Sequence, residues 1–166
     1  MNLDSRKATT LPAGTPQIDF TDAASYNDAT SVTVFDAKGQ DVALTYYFQK
    51  SATDTWNVYA TANGTSVNVD GAGNPLPVTS ISYPGNGGTP TSPLGPVAIT
   101  IPSTTNAAGA TTLAIPGVAL DVTNSTQFGS GFGVTSMSQD GYAPGQLTSV
   151  TIEKSGIVMA TYSNGQ

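Results

Sequence analysis

Few side chains in this chain can do chemistry, and their types and spacing decide which chemistry is open to it. Asn68, Asp70 and Asn74 set oxygen-bearing side chains at even spacing around Gly71 and Gly73, faintly like a calcium loop. Calcium takes roughly six to eight oxygens, usually with a bidentate acid closing the loop, and no acid follows Asn74 here. A glycine-closed turn is the expected reading. Gly129-Ser130-Gly131-Phe132-Gly133 has the look of a phosphate-binding loop, but no Lys and no helix-forming stretch follows it, so it reads as a mobile connection. Asn63-Gly64-Thr65 and Asn124-Ser125-Thr126 match the N-glycosylation acceptor, a pattern that chance supplies in an Asn/Thr-rich chain. Trp56 with Tyr46, Tyr47 and Tyr59 could form a sugar-stacking platform. Alternation instead points Trp56 and Tyr46 into a core and leaves Tyr47 and Tyr59 to cover the opposite face.

The larger message is what is missing. There is no His, the commonest general base and metal ligand, and no Cys, hence no thiol nucleophile, zinc-thiolate site or disulfide. No two carboxylates are placed by the sequence across a cleft, as glycoside hydrolysis requires. No catalytic, cofactor-binding or metal-ligating residue is therefore assigned, and no cofactor is expected.

The elements that would position such groups are all strands. Val32 and Val34 alternate with polar neighbours up to the turn Asp36–Gly39. Val42, Leu44, Tyr46 and Phe48 then share one face, and Trp56, Val58 and Ala60 repeat the pattern after a turn at 51–54. Asn63-Gly64 is a hairpin turn, with Val67 and Val69 continuing the meander. Asp36-x-x-Gly39 recurs as Asp70-x-x-Gly73 and Glu153-x-x-Gly156, one loop chemistry used three times. Val97–Ile101 is a clean strand. Leu113 to Val122 reads as short strands broken at Pro116-Gly117. Leu147–Ile152 and Ile157–Tyr162 form a final hairpin. Residues 84–96 and 103–110 are loops of small residues. No helical periodicity of useful length is present. The predicted fold is all-β: a single antiparallel domain, barrel- or sandwich-like, of eight to ten short strands joined by hairpins and long loops.

Composition narrows the function classes. The chain has 166 residues, 38% apolar and only 10% charged, against about 25% charged in ordinary soluble domains. Thr, Ser, Asn, Ala and Gly take the place of charge, which suits an extracellular or assembled β protein. With five basic residues and a net charge of −6, no surface neutralises a row of phosphates, and an anionic membrane repels the chain. Nucleic acid and membrane are thus not expected partners. The apolar runs are too short to span a bilayer, and Met1–Ser5 is no secretory signal. From the residues alone, a secreted carbohydrate-binding or adhesin β-module stands beside a structural self-association domain, and an enzyme is a distant third.

A resemblance to a known family separates the first two. Ser31–Gly39, Leu44–Lys50 and Trp56–Thr61 are similar to the opening of the central domain of bacterial flagellar hook proteins. Gln139–Leu147, Val150–Ile152, Gly156 and Ala160–Gln166 resemble the segment in which that domain returns toward the filament axis. Asn2–Ser5 resembles the stretch just before the domain, while residues 65 to 125 carry no recognised motif. The resemblance implies a fragment: an extended lead-in from a preceding inner domain over residues 1–19, the central β domain over 20–163, and an exit tail at 164–166. It further implies a structural, extracellular part of the hook, exported without a cleaved signal and sliding against other copies of the hook protein as the joint bends. On that view the isolated fragment is a monomer, and amphipathic helices before Asn2 and after Gln166 in the full gene distinguish the hook from an adhesin.

Overall fold

The structure, a computed structural model, describes residues 1–165. Gln166, the end of the expected exit tail, lies outside the described residues. Among the described residues eleven strands follow in chain order: β1 (Asn2–Asp4), β2 (Asp28–Phe35), β3 (Asp41–Ala52), β4 (Thr55–Ala62), β5 (Thr65–Ser66), β6 (Thr79–Ser82), β7 (Val97–Ile101), β8 (Ile115–Leu120), β9 (Thr126–Phe128), β10 (Leu147–Ile152) and β11 (Val158–Tyr162). No helix occurs among the described residues. The all-β expectation holds, in sandwich-like form and without a closed barrel.

The central sheet follows from period-two patterning. Antiparallel β2, β3 and β4 pair in sequence order, with Val32 opposite Leu44 and Phe48 opposite Val58. The far edge of β4 is shared, β6 pairing with Thr55–Val58 and β5 with Thr61–Ala62. Val42, Leu44, Tyr46, Phe48, Trp56, Val58, Ala60 and Ala62 all project from one face and are buried. Against them lies a second layer: the hairpin β7–β8 with Ile99 and Ile101, plus Leu3 from β1 and Val122. At about 1.5–3 kcal/mol for each fully buried large apolar side chain, this seam is the main source of stability.

The opposite face of β3 and β4 is covered by residues 17–26. Phe20 packs on Tyr47 with ring centroids 4.8 Å apart, Tyr26 on Tyr47 at 4.9 Å, and Ile18 is buried. Gln49 Nε2 donates to the carbonyls of Gln17 and Ser25, both at 2.7 Å, tying this cover down. The lead-in expected over residues 1–19 is anchored in the folded body near both ends, by Leu3 and Ile18, while most of residues 6–17 is exposed. Polar, proline-punctuated composition hid this, because single apolar anchors leave no periodicity to read.

The glycine turn recurs more often than the sequence reading found. In Asp36–Gln40, Asp70–Asn74, Asn106–Ala110 and Glu153–Ile157, the first residue's N–H donates to the carbonyl four residues on, and the glycine N–H donates back to the first residue's carbonyl. Asp36, Asp70 and Asn106 also accept, through the side chain, the amide of the residue that ends the turn. The Asn106 copy went unnoticed because it lies in a run of Ala and Thr. Asp36 goes further: its Oδ2 accepts the Leu113 amide at 2.6 Å and so joins the central sheet to the chain leading into β8. Leu113, Gln40 and Lys38 amides hold its carboxyl below the usual carboxylate range. A folded-state pKa below the unfolded one stabilises above about pH 4 and loses that contribution as pH falls further. Asp36→Ala is expected to lower the melting temperature more than Asp70→Ala, whose side-chain bonds all stay within its own turn. Asp36→Asn should also flatten the acid limb of a melting-temperature–pH profile.

One further expectation changes. Pro116-Gly117 does not break the strand: β8 runs through it, taking up the irregularity as a register shift opposite Ile99–Ile101. β2 and β11 are not neighbours, since β11 pairs with β10 alone and every residue of that hairpin is exposed. Its register puts Val150, Ile152, Val158 and Ala160 together on one uncovered apolar face. The sequence reading foresaw no such face.

Candidate functional site: the stem where the chain enters and leaves

Among the described residues no group of Asp and Glu side chains is placed to hold a metal, and the distinctive local construction is the stem at the start of the chain. Strand β1 lies parallel to β9, with Leu3 opposite Gln127. On its other side it meets the outbound chain in an antiparallel bridge, the Asn2 N–H donating to the Gly133 carbonyl at 2.9 Å and the Gly133 N–H returning to the Asn2 carbonyl at 3.3 Å. The Asn2 side chain locks the two passes together. Its Nδ2 donates to the Ser130 carbonyl and hydroxyl at 2.9 and 3.0 Å, while Oδ1 accepts the Thr126 hydroxyl and the Phe128 amide. The Gly129–Gly133 run is thus the outbound side of the stem, its small residues allowing the chain to fold around Asn2.

Two charged groups order the stem, Asp4 within it and Lys50 from the body. Asp4 accepts from Arg6 through both carboxylate oxygens, at 2.9 and 2.8 Å. Those side-chain bonds, with the Arg6 amide, bring the Asp4 pKa down to about 2. Lys50, buried at the end of β3, donates its Nζ to the carbonyls of Ser5 and Lys7 at 2.7 and 3.0 Å. Beneath the stem, Trp56 Nε1 donates to Gln127 Oε1 at 2.6 Å, and Gln127 Nε2 donates to Asp54 Oδ1 at 2.6 Å. A buried polar chain therefore links the central sheet to β9, the strand that holds β1. The sequence marks none of this, since the stem joins residues far apart along the chain by backbone bonds.

The residues singled out for chemistry are placed otherwise. Trp56 and Tyr59 are inaccessible and Tyr46 nearly so, so the aromatic set forms no exposed sugar-stacking platform. Tyr59, expected to cover the outer face, does so beneath Phe20. Burial pushes the Tyr46 and Tyr83 phenols up to about 12. In the loop Asn68–Asn74 both Asp70 oxygens are engaged, Oδ1 by the Ala72 and Asn74 amides and Oδ2 by Asn74 Nδ2. Millimolar calcium, with or without chelator, is accordingly expected to leave the melting temperature unchanged; a clear rise reversed by chelator would restore the calcium reading. Asn63 of the first glycosylation-like triplet is tied to Thr104 and to the Ala43 amide. The loop 84–96 is anchored through Ser82 and Gln127 and carries Leu94 at its outer end, 87% exposed.

Residues 2–142 match the family described as the flagellar basal body protein FlaE D2 domain. Over 168 residues the chain is 33% identical to the flagellar hook protein FlgE of Escherichia coli strain K12, a match covering 100% of this chain and 38% of that protein. Salmonella typhimurium strain LT2 has a FlgE that is 32% identical, again over 100% of this chain and 38% of the relative. The Rhizobium meliloti strain 1021 FlgE is 27% identical over 94% of this chain and 35% of its own length. The chain thus spans well under half the length of these curated relatives.

Proposed function

The chain belongs to the flagellar hook protein family, as a D2-domain segment, and on that premise we propose that it is a structural, non-catalytic module that stands out from the hook and makes contacts between subunits. The paired stem carries this reading. A module set into a longer subunit has to leave and return at nearly the same place, or it distorts its host. Asn2 and Gly133, hydrogen-bonded to each other, meet that requirement. We place the module at about Asn2–Gly133, with the hairpin β10–β11 belonging to the next part of the subunit; an isolated two-stranded hairpin with one apolar face is marginal in water and needs cover from elsewhere.

The charge-poor, small-residue surface suits contacts that are remade as a joint bends, where large apolar patches would lock. Partners are other copies of the same subunit. The four-residue apolar face of the hairpin is far smaller than the roughly 800 Å² per partner of a stable interface, so the isolated chain is expected to sediment as a monomer at micromolar concentration. The functional test is an epitope inserted beside Leu94 in the full-length subunit of motile cells. Immunogold electron microscopy should decorate the hook between basal body and filament. Label on the filament, on the general cell surface, or nowhere on intact hooks would overturn the reading.

A further inference from the structure

The sandwich is open along one side. There the free edge of β2 faces β8 across a cavity of about 960 Å³, lined by Val32 and Val34 on one side and Val118 and Leu120 on the other. An eight-residue edge strand without proline or lysine presents unpaired N–H and C=O groups that folded proteins normally cover. Val134–Gly141, the chain leaving the stem, borders the same cavity.

The track of this segment is fixed at both ends. Phe132 packs on Phe48 with centroids 5.7 Å apart, and Phe48 is the register partner of Asp28, the first residue of β2. Beyond the other end of β2, Pro144 sits so close to Gly39 that a Cβ added there would fall 2.7 Å from the proline ring. The segment therefore runs in the same direction as β2, from beside its first residue to the turn beyond its last. Strand β2 covers about 26 Å, and Phe132–Pro144 reaches about 40 Å when extended, so the span is made with slack. Yet Val134–Gly141 has no backbone hydrogen bond to any other part of the described chain, and Thr135–Gly141 is exposed throughout.

We propose that Val134–Gly141 is a strap that zips onto the free edge of β2 as a parallel strand, and that the structure holds it open. Zipping satisfies the exposed edge of β2 and brings Thr135, Met137 and Gln139 to one face of the new strand. With that face inward, Met137 enters the cavity between Val32 and Val118, a gap its flexible thioether can fill. Open or zipped, the end of the strap stays beside the Asp36–Gly39 turn, where Pro144 already packs on Gly39; zipping takes up the slack between Phe132 and that contact. Parallel pairing is slightly weaker per residue than antiparallel pairing, which suits a contact made and broken within one subunit. The inference goes beyond the proposed function, since it concerns the geometry within one chain and needs no hook.

Amide hydrogen exchange on the 166-residue chain tests it. The amides of Thr135, Met137 and Gln139, which face β2 when those side chains point inward, and the β2 amides that point away from β3 should exchange at least about tenfold more slowly than an unstructured peptide. Thr135→Pro removes a strand donor that faces β2 and should abolish that protection on both elements, leaving β3 and β4 unchanged. Met137→Asp should act in the same direction, and Met137→Leu should retain protection. Exchange of the Thr135, Met137 and Gln139 amides at the peptide rate in the parent chain, or protection that survives Thr135→Pro, would overturn the strap.

Discussion

Replacing Trp56 with alanine is expected to cost about 3–5 kcal/mol, a large share of the roughly 5–15 kcal/mol that holds an ordinary domain together. Three effects combine. The indole is completely inaccessible at the centre of the two-layer seam, so its removal opens a cavity that neighbouring β-branched side chains cannot fill. It also strands Gln127 Oε1 without its donor in a buried setting. Finally, it frees Gln127, whose other end holds Asp54, and with it the strand β9 on which β1 is built. Chemical denaturation followed by circular dichroism measures the loss. Trp56→Phe should cost less, about 1–3 kcal/mol, because most of the ring volume survives and the unpaired carbonyl dominates. Equal losses in the two variants would mean that the polar chain, not the packing, carries the site.

The second large effect falls where the sequence promised none. Leu3→Ala should destabilise by about 2–5 kcal/mol, the range for truncating a fully buried leucine. An extended lead-in outside the domain would give a change within about 0.5 kcal/mol, as for other surface substitutions. Leu3→Asp should prevent folding of the stem altogether, exposing residues 5–10 to proteolysis while Lys50 loses the ordered carbonyls of Ser5 and Lys7.

How far these features were legible depends on the range of the interactions that make them. The hairpins through Asp36–Gly39 and Asn63-Gly64 were readable, because alternating Val32–Val34 and Val42–Phe48 and a glycine at positive φ are local signals. The burial of Trp56 and Tyr46 follows from the same alternation. The parallel pairing of β1 with β9 was not readable: a three-residue strand has no period, and its partner lies more than a hundred residues away. Pro116-Gly117 was read as a break because proline lacks a donor, yet a strand with a register shift accommodates it. The cover formed by Ile18 and Phe20 escaped notice for a related reason, since isolated apolar anchors in a polar stretch look like loop. The absence of an assigned site residue rested on which chemical groups the chain contains, and composition states that directly.

The stem is the claim on which the account turns, and one cysteine pair measures it. Asn2 and Gly133 exchange both backbone hydrogen bonds, so Met1 and Val134 form the next pair across, with Cα atoms about 4.5 Å apart. That distance lies within disulfide range, and the chain has no cysteine of its own to confuse the result. Met1→Cys combined with Val134→Cys, in a chain with one extra residue ahead to start translation, should close an intrachain disulfide under mild oxidation without disturbing the folded core. A pair that stays reduced in the folded protein, and crosslinks only between molecules or after denaturation, would contradict a module that enters and leaves at one place.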